Sequence, residues 1–249
     1  MYLDVQDLTV CYDTALILNK ITLGINNGEA VCMVGPNGAG KSTTLRAISG
    51  LIRWESDSLK GTKLGRITLA GSIKYDGKEI LGLRPDQIAK LGLILCPERG
   101  KPFREMTVVE NLKLGAYLYS GKRENERNLD RVYSLFPILK ERANQISGTL
   151  SGGQRFMLAI GRSLMSRAKM LLVDEPSTGI APKVKQDLFS RIKEIHALGV
   201  TLLVTEQDVS FAFDLANRNY VLSAGKIIAE GSSAKLLEDE VIRKTYLGL

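Results

Sequence analysis

An α/β fold with a mostly parallel sheet covered by helices is predicted by three observations in this 249-residue chain. Short apolar runs, AVCMV (30–34), LILC (93–96), MLLVD (170–174) and VTLLVT (200–205), read as strands. Helical patterns alternate with them from Pro85 onward. The first third is β-rich and punctuated by turn signals, so an antiparallel part precedes the parallel one.

Taken in order, ITLGIN (21–26) alternates apolar and polar residues, and Asn27-Gly28 predicts a hairpin turn leading into AVCMV. A second hairpin is expected at Asp76-Gly77, after SIKY. Between Gly50 and Leu69 the stretch LIRWESDSLKGTKLGRIT mixes polar residues, glycines and the single Trp, which predicts a surface excursion. Pro85 suits a first helical turn, Gly92 a stop, and LILC the next strand. Thr107 and Glu110 have capping-box spacing and open a helical region that runs to about residue 165. MLLVD, a helix from Pro182 to Gly199 and VTLLVT then form a strand-helix-strand unit. Val184, Leu188, Ile192, Ile195 and Leu198 make the apolar stripe of that helix. In a sheet of this kind ligands bind at the carboxyl ends of the strands.

Composition excludes several classes. No apolar run approaches the roughly 18 residues of a membrane span. The N-terminus, MYLDVQDLTV, lacks the basic and apolar regions of a secretory signal, so a cytoplasmic protein is expected. Cys11, Cys32 and Cys96 lie singly in strand-like surroundings, without zinc-site spacing, and read as structural filler. The net charge of +7 is spread among acids, as in ENERNLDR (124–131), so no nucleic-acid partner is expected from it. His196, the only histidine, sits at a helix end, where the helix dipole favours a solvated cation.

Three motifs carry chemistry. GPNGAGKS (35–42) follows a strand and opens a helix, the context a phosphate-binding loop requires. Gly38 and Gly40 let backbone N–H groups wrap a polyphosphate, and the helix starting near Lys41 aims its positive end at the same anion. Lys41 would reach the β- and γ-phosphates and Ser42 would bind Mg²⁺. KMLLVDEP (169–176) puts Asp174 and Glu175 at a strand mouth, where adjacent side chains point to opposite sides. Asp174 would hold Mg²⁺ and Glu175 would polarise the attacking water. TLSGGQRFMLAIGRSLM (149–165) starts with a Ser at an N-cap position and two glycines, a second anion-binding helix start, with Met157, Ile160, Gly161 and Leu164 on one face. One γ-phosphate does not need two such ends from one subunit. Two copies head to tail would use both, each offering Ser151 and Gly153 to nucleotide held by the other's Lys41.

The order GPNGAGKST (35–43), LSGGQ (150–154), LLVDEP (171–176) resembles the ATP-binding cassette ATPases that power ABC transporters, and the match covers nearly the whole chain. The resemblance implies a phosphate-loop ATPase fold in one domain, residues 1–249: a core of 1–100 and 166–249 with an antiparallel β part, and a helical lobe of about 101–165. It implies ATP and Mg²⁺ as cofactors. Gly35, Pro36, Asn37, Gly38, Ala39, Gly40, Lys41, Ser42 and Thr43 would cradle the nucleotide, with Tyr12 stacked on adenine. Ser151, Gly152, Gly153 and Gln154 would complete the site of a second cassette, and residues 98–106 would receive a helix of a membrane permease.

Three departures point to a subfamily. Glu98 stands where most cassettes carry a metal-site glutamine, Ala181 where most carry Asp, and Gln207 where most carry a γ-phosphate His. Together with LAIGRSLM (158–165) and TEQD (205–208) they resemble the LivF-type ATPases of branched-chain amino-acid importers. The long 51–70 excursion, and LSGGQ in place of LSGGE, depart from that pattern. Permease subunits, a second cassette, an upstream solute-binding protein and a place on the cytoplasmic face of the membrane are implied. The rivals are a soluble cassette ATPase acting on ribosomes or nucleic acid, an exporter ATPase, and an importer of another small polar solute. Gln207 can donate to a phosphate but cannot titrate, so no imidazole step near pH 6.5 is expected in turnover. Glu206 and Asp208 have no role assigned by sequence.

Overall fold

The N-terminal run folds as β1 (Leu3–Tyr12), antiparallel to β2 (Ala15–Ile25), with Leu3 and Val5 fully buried and, beyond a register shift around Asp7, Leu8 and Val10 as well. The computed structural model describes residues 1–60 and 65–243. The Asn27-Gly28 turn does not close a hairpin, contrary to the sequence expectation. It carries the chain from β2 into β3 (Ala30–Val34) of a different sheet, and the Gly28 N–H donates to Thr201 Oγ1 at 2.9 Å. Both sides of β3 are taken by parallel neighbours, so no edge is left for β2.

The phosphate-loop segment leads into α1 (Lys41–Ile48), and Gly50, at φ 78°, turns the chain into α2 (Leu51–Leu59). The predicted excursion is therefore helical over Leu51–Leu59, on the surface with Trp54 55% exposed, while its residues 61–64 lie outside the described residues. β4 (Ile67–Tyr75) and β5 (Lys78–Glu79) form the expected Asp76-Gly77 hairpin and complete a four-stranded antiparallel sheet in the order β2-β1-β4-β5. α3 (Pro85–Lys90) and β6 (Leu93–Cys96) follow as predicted, with Gly92 at φ 96° between them.

The helical region divides into α4 (Val108–Gly115), α5 (Lys122–Leu135), α6 (Pro137–Glu141) and α7 (Gly152–Met165). Thr107 and Glu110 form the capping box that their spacing predicts. α7 is buried on more than the predicted face, with Phe156, Leu158, Ala159 and Met165 also enclosed. At Gly161 a Cβ would lie 2.8 Å from Val132 and 2.9 Å from Leu112, which is how α4 and α5 approach α7 so closely.

β7 (Met170–Asp174), α8 (Pro182–Ala197) and β8 (Thr201–Glu206) form the strand-helix-strand unit. Leu188, Ile192 and Ile195 are buried as expected, but Leu198 is 71% exposed because α8 ends at Ala197 and the chain turns away. α9 (Val209–Leu215), β9 (Arg218–Ser223) and β10 (Lys226–Ser232) complete the second sheet, in the order β10-β9-β3-β8-β7-β6. Only β10 in it runs antiparallel to its neighbour.

Two-residue alternation divides this sheet between two apolar clusters. Cys32, Val34, Leu171, Val173, Leu202 and Val204 face the helices α4 to α9, whereas Val31, Met33, Met170, Leu172 and Leu203 face the antiparallel sheet and α1 to α3. Burial on both faces explains the uniformly apolar strands. The cysteines are unpaired filler, and burial pushes the Cys96 thiol up to about 12. Among the described residues no helix is long and apolar enough to cross a membrane.

Candidate active site

Register brings the carboxyl ends of three strands level: Val34 pairs with Glu206, and Asp174 with Thr205. Each strand then releases a functional loop on the same rim of the sheet.

From β3 the loop 35–40 enters α1 through Gly40, whose φ of 107° suits glycine and whose missing Cβ would strike Leu18 at 2.6 Å. No side chain caps this helix start, which leaves its first N–H groups without a side-chain partner at the N-cap. Lys41 is 3% exposed; its Nζ donates to Gly35 O at 2.7 Å and Pro36 O at 3.1 Å, and lies 3.0 Å from Glu175 Oε1.

From β7, Asp174 accepts from Ser42 Oγ at 3.0 Å and from Thr205 Oγ1 at 2.8 Å. Burial pushes its carboxyl above the usual range; the two hydroxyls oppose this, and the charges of Glu175 and Glu98 add to it. Glu98, in the loop after β6, therefore shares the electrostatic field of Asp174, while its Oε1 accepts from Arg99 Nε at 3.1 Å. Buried, negatively charged oxygen donors of this kind fit Mg²⁺. No group of three His, Cys, Asp or Glu that could hold a metal occurs among the described residues, so phosphate oxygens and water would fill most of the cation's shell.

Glu175 follows at φ 43°, a strained conformation for a long side chain. Its N–H donates to Thr205 O at 3.1 Å and its Oε2 accepts from Thr178 Oγ1 at 3.1 Å. Its carboxylate is held by Lys41, next to the Ser42 that Asp174 holds. The two acids thus meet adjacent residues at the start of α1 rather than parting as strand alternation predicts, because the chain leaves strand geometry at Glu175.

From β8, Gln207 is exposed on the rim. Asp208 caps α9 by accepting from Ser210 N–H at 3.2 Å, and Glu206 is wholly buried, accepting from Ser177, Gln207 and Asp208. Thr205, Ser177, Thr178 and Glu206 escaped the sequence reading. The alternation in LLVTE, which puts Thr205 and Glu206 on opposite faces, is the signal that could have found the first and last.

The structure thus gathers Lys41, Ser42, Asp174 and Glu175, with Glu98 and Gln207 on the same rim. Ser151 to Gln154 are placed differently. Ser151 is exposed and caps α7 with Gln154 in a reciprocal pair, and Gly153 packs so closely that a Cβ would meet Val184 at 2.4 Å. Tyr12 closes β1 with its hydroxyl 3.5 Å from Glu55, beside Arg46 of α1. Ala181 precedes α8 without a side-chain cap. His196 lies in the last turn of α8, its Nδ1 3.2 Å from Val200 O.

A family model described as ABC transporter matches residues 18–178. The chain belongs to the ABC transporter family. The "High-affinity branched-chain amino acid transport ATP-binding protein BraG" of Pseudomonas aeruginosa is 38% identical over 246 residues, covering 99% of each chain. The "Probable branched-chain amino acid transport ATP-binding protein LivF" of Archaeoglobus fulgidus is 34% identical, covering 97% of each. The crystal structure of the ADP conformation of MJ1267, an ATP-binding cassette of an ABC transporter, superposes with a TM-score of 0.81 at 27% identity, over 98% of this chain and 97% of that one. This ABC cassette therefore has the fold its sequence predicts, and as a family member it is an ATP-binding ATPase of a transport system.

Proposed function

We propose that this cassette is the Mg²⁺-dependent ATP-hydrolysing subunit of an importer for branched-chain amino acids. The observation that carries hydrolysis is the Lys41, Ser42, Asp174, Glu175 cluster at the ends of β3 and β7. The importer reading is supported by full-length similarity to BraG and LivF, joined with Glu98, Ala181 and Gln207 at three diagnostic positions.

In the proposed reaction the triphosphate lies along residues 35–43, with Tyr12 against adenine, and Lys41 leaves Glu175 for the β- and γ-phosphates. Ser42 and Asp174, with Glu98 nearby, would hold Mg²⁺, which when bound would supply charge neutralisation for the phosphates. Glu175 takes a proton from water as the water oxygen bonds to the γ-phosphorus and the bond to the bridging oxygen of ADP breaks. The Gln207 amide donates to a γ-phosphate oxygen. A second cassette, identical or related, supplies Ser151, Gly152, Gly153 and Gln154 to close the site. Residues 1–249 act as one unit, and the 101–165 lobe meets permease subunits on the cytoplasmic face of the membrane, with a solute-binding protein upstream.

The test is to recover the tagged chain from gently solubilised native membranes and to identify its partners. Permeases, a cassette and a binding protein for leucine, isoleucine or valine are expected. A binding protein for another solute would correct the substrate, and ribosomes instead of permeases would overturn the reading.

A further inference from the structure

Glu206 ends β8 with 0% of its surface exposed, on the face shared by Leu202, Val204 and, across β3, Cys32. A carboxylate in such a place is costly unless every oxygen is satisfied. Oε1 accepts from Ser177 N–H at 2.9 Å; Oε2 accepts from Ser177 Oγ at 2.8 Å, Gln207 N–H at 3.1 Å and Asp208 N–H at 3.4 Å. These donors are neutral, and they belong to two different loops. One is the turn 175–178 that carries Glu175; the other is 207–208, which carries Gln207. Capping of α9 does not call for this arrangement, since Asp208 already provides it.

We propose that Glu206 is a positioning residue for hydrolysis, locking the turn behind Glu175 to the backbone of Gln207 so that base and γ-phosphate ligand move as one unit. The inference rests on the roles proposed above for Glu175 and Gln207. Three of the four donors are backbone N–H groups, which cannot reverse. Only a carboxylate, with two accepting oxygens, satisfies both loops at once. Glutamine has the same shape but sets an NH₂ against at least one of those donors. Aspartate keeps both oxygens and loses about 1.5 Å of reach.

The experiment uses the full chain at concentrations where copies associate. Glu206→Gln should lower kcat about ten- to hundred-fold with the KM for ATP within about twofold, and Glu206→Asp should recover part of the rate. In a Gln207→Ala background, Glu206→Gln should cost less than in the wild type, because only the part that acts through the Glu175 turn remains. Amide exchange without nucleotide reports the lock itself: Glu206→Gln should speed exchange at Ser177 and at 207–208 together, and Ser177→Ala should speed it at 207–208. If Glu206→Gln does not fold, Glu206→Asp and Ser177→Ala supply the same readouts. An unchanged kcat in the folded variant, a full multiplicative loss on top of Gln207→Ala, or exchange rising in one loop only would overturn the inference while leaving the ATPase reading intact. A wild-type chain that hydrolyses no ATP would overturn the catalytic role together with that reading, recognisably so, because both loops would still loosen together.

Discussion

Two helix starts in this cassette, both proposed above as anion sites, are built in opposite ways. α1 begins at a left-handed Gly40 with no side-chain cap, and its Lys41 is buried among loop carbonyls and Glu175. α7 begins at an exposed Ser151, whose hydroxyl accepts from Gln154 N–H while Gln154 Oε1 accepts from Ser151 N–H. The first start is open and charged, so it suits a ligand held within one chain. The second has satisfied its own donors, so it suits a ligand presented from outside once another copy approaches. The contrast would account for the two anion sites proposed in a chain that needs one nucleotide per site.

The largest effect expected from this contrast is at α1. Lys41→Ala should reduce kcat/KM for ATP by about 10³-fold or more, measured by phosphate release, because it removes the buried cation aimed at the transferring phosphoryl group. An equal loss in Ser151→Ala would erase the distinction. Next, Glu175→Gln should keep ATP binding in a calorimetric titration and lower single-turnover hydrolysis by about 10²- to 10⁴-fold. Retained turnover would remove Glu175 as the base. Ser151→Ala should cost about 1 kcal/mol in urea unfolding, the usual value of an N-cap, and lower turnover only where copies associate. Weaker ATP binding by the dilute single chain would place Ser151 in its own chain's site.

The smallest expected effects are in pH. With Gln207 at the γ-phosphate, the rate profiles of wild type and His196→Ala should coincide through about pH 6.5. A limb lost on changing His196 would contradict this. Burial pushes the Glu206 carboxyl above the usual range, against the pull of its four donors. Since its folded value is raised, the stability it contributes is complete below the ordinary carboxylate range and is lost as pH rises through the raised value. The ionised form is the one that joins the two loops, so turnover should rise across the window in which stability falls. Urea midpoints and initial rates measured on the same buffers check the opposite signs.

Local chemistry made much of this site legible from sequence. The phosphate loop, the 174–175 pair, the capping box at Thr107 and the N-cap at Ser151 all depend on neighbours a few residues apart. What stayed hidden depends on distant neighbours. Asn27-Gly28 has the same turn chemistry whether the next strand folds back or crosses to another sheet, and only the parallel partners of β3 decide between them. α2 buries Ile52 but leaves a largely polar helix, so its periodicity carried little signal. Leu198 continues the stripe of α8 in sequence after the helix has ended in space. Alternation within LLVTE sets Thr205 apart from Glu206, but its partners Asp174 and Glu175 follow only from β-sheet register with β7.

The ion pair between Lys41 and Glu175 makes the proposed catalytic base a competitor tethered inside the chain. Before ATP arrives, a carboxylate occupies the lysine that the γ-phosphate needs, and a tethered anion competes at an effective concentration that free anions in solution do not reach. On the proposed mechanism the affinity for nucleotide is therefore set partly by the residue that later destroys it. In the proposed reaction each turnover would begin by displacing the base and end, as phosphate leaves, with the base free to return and lower the hold on product.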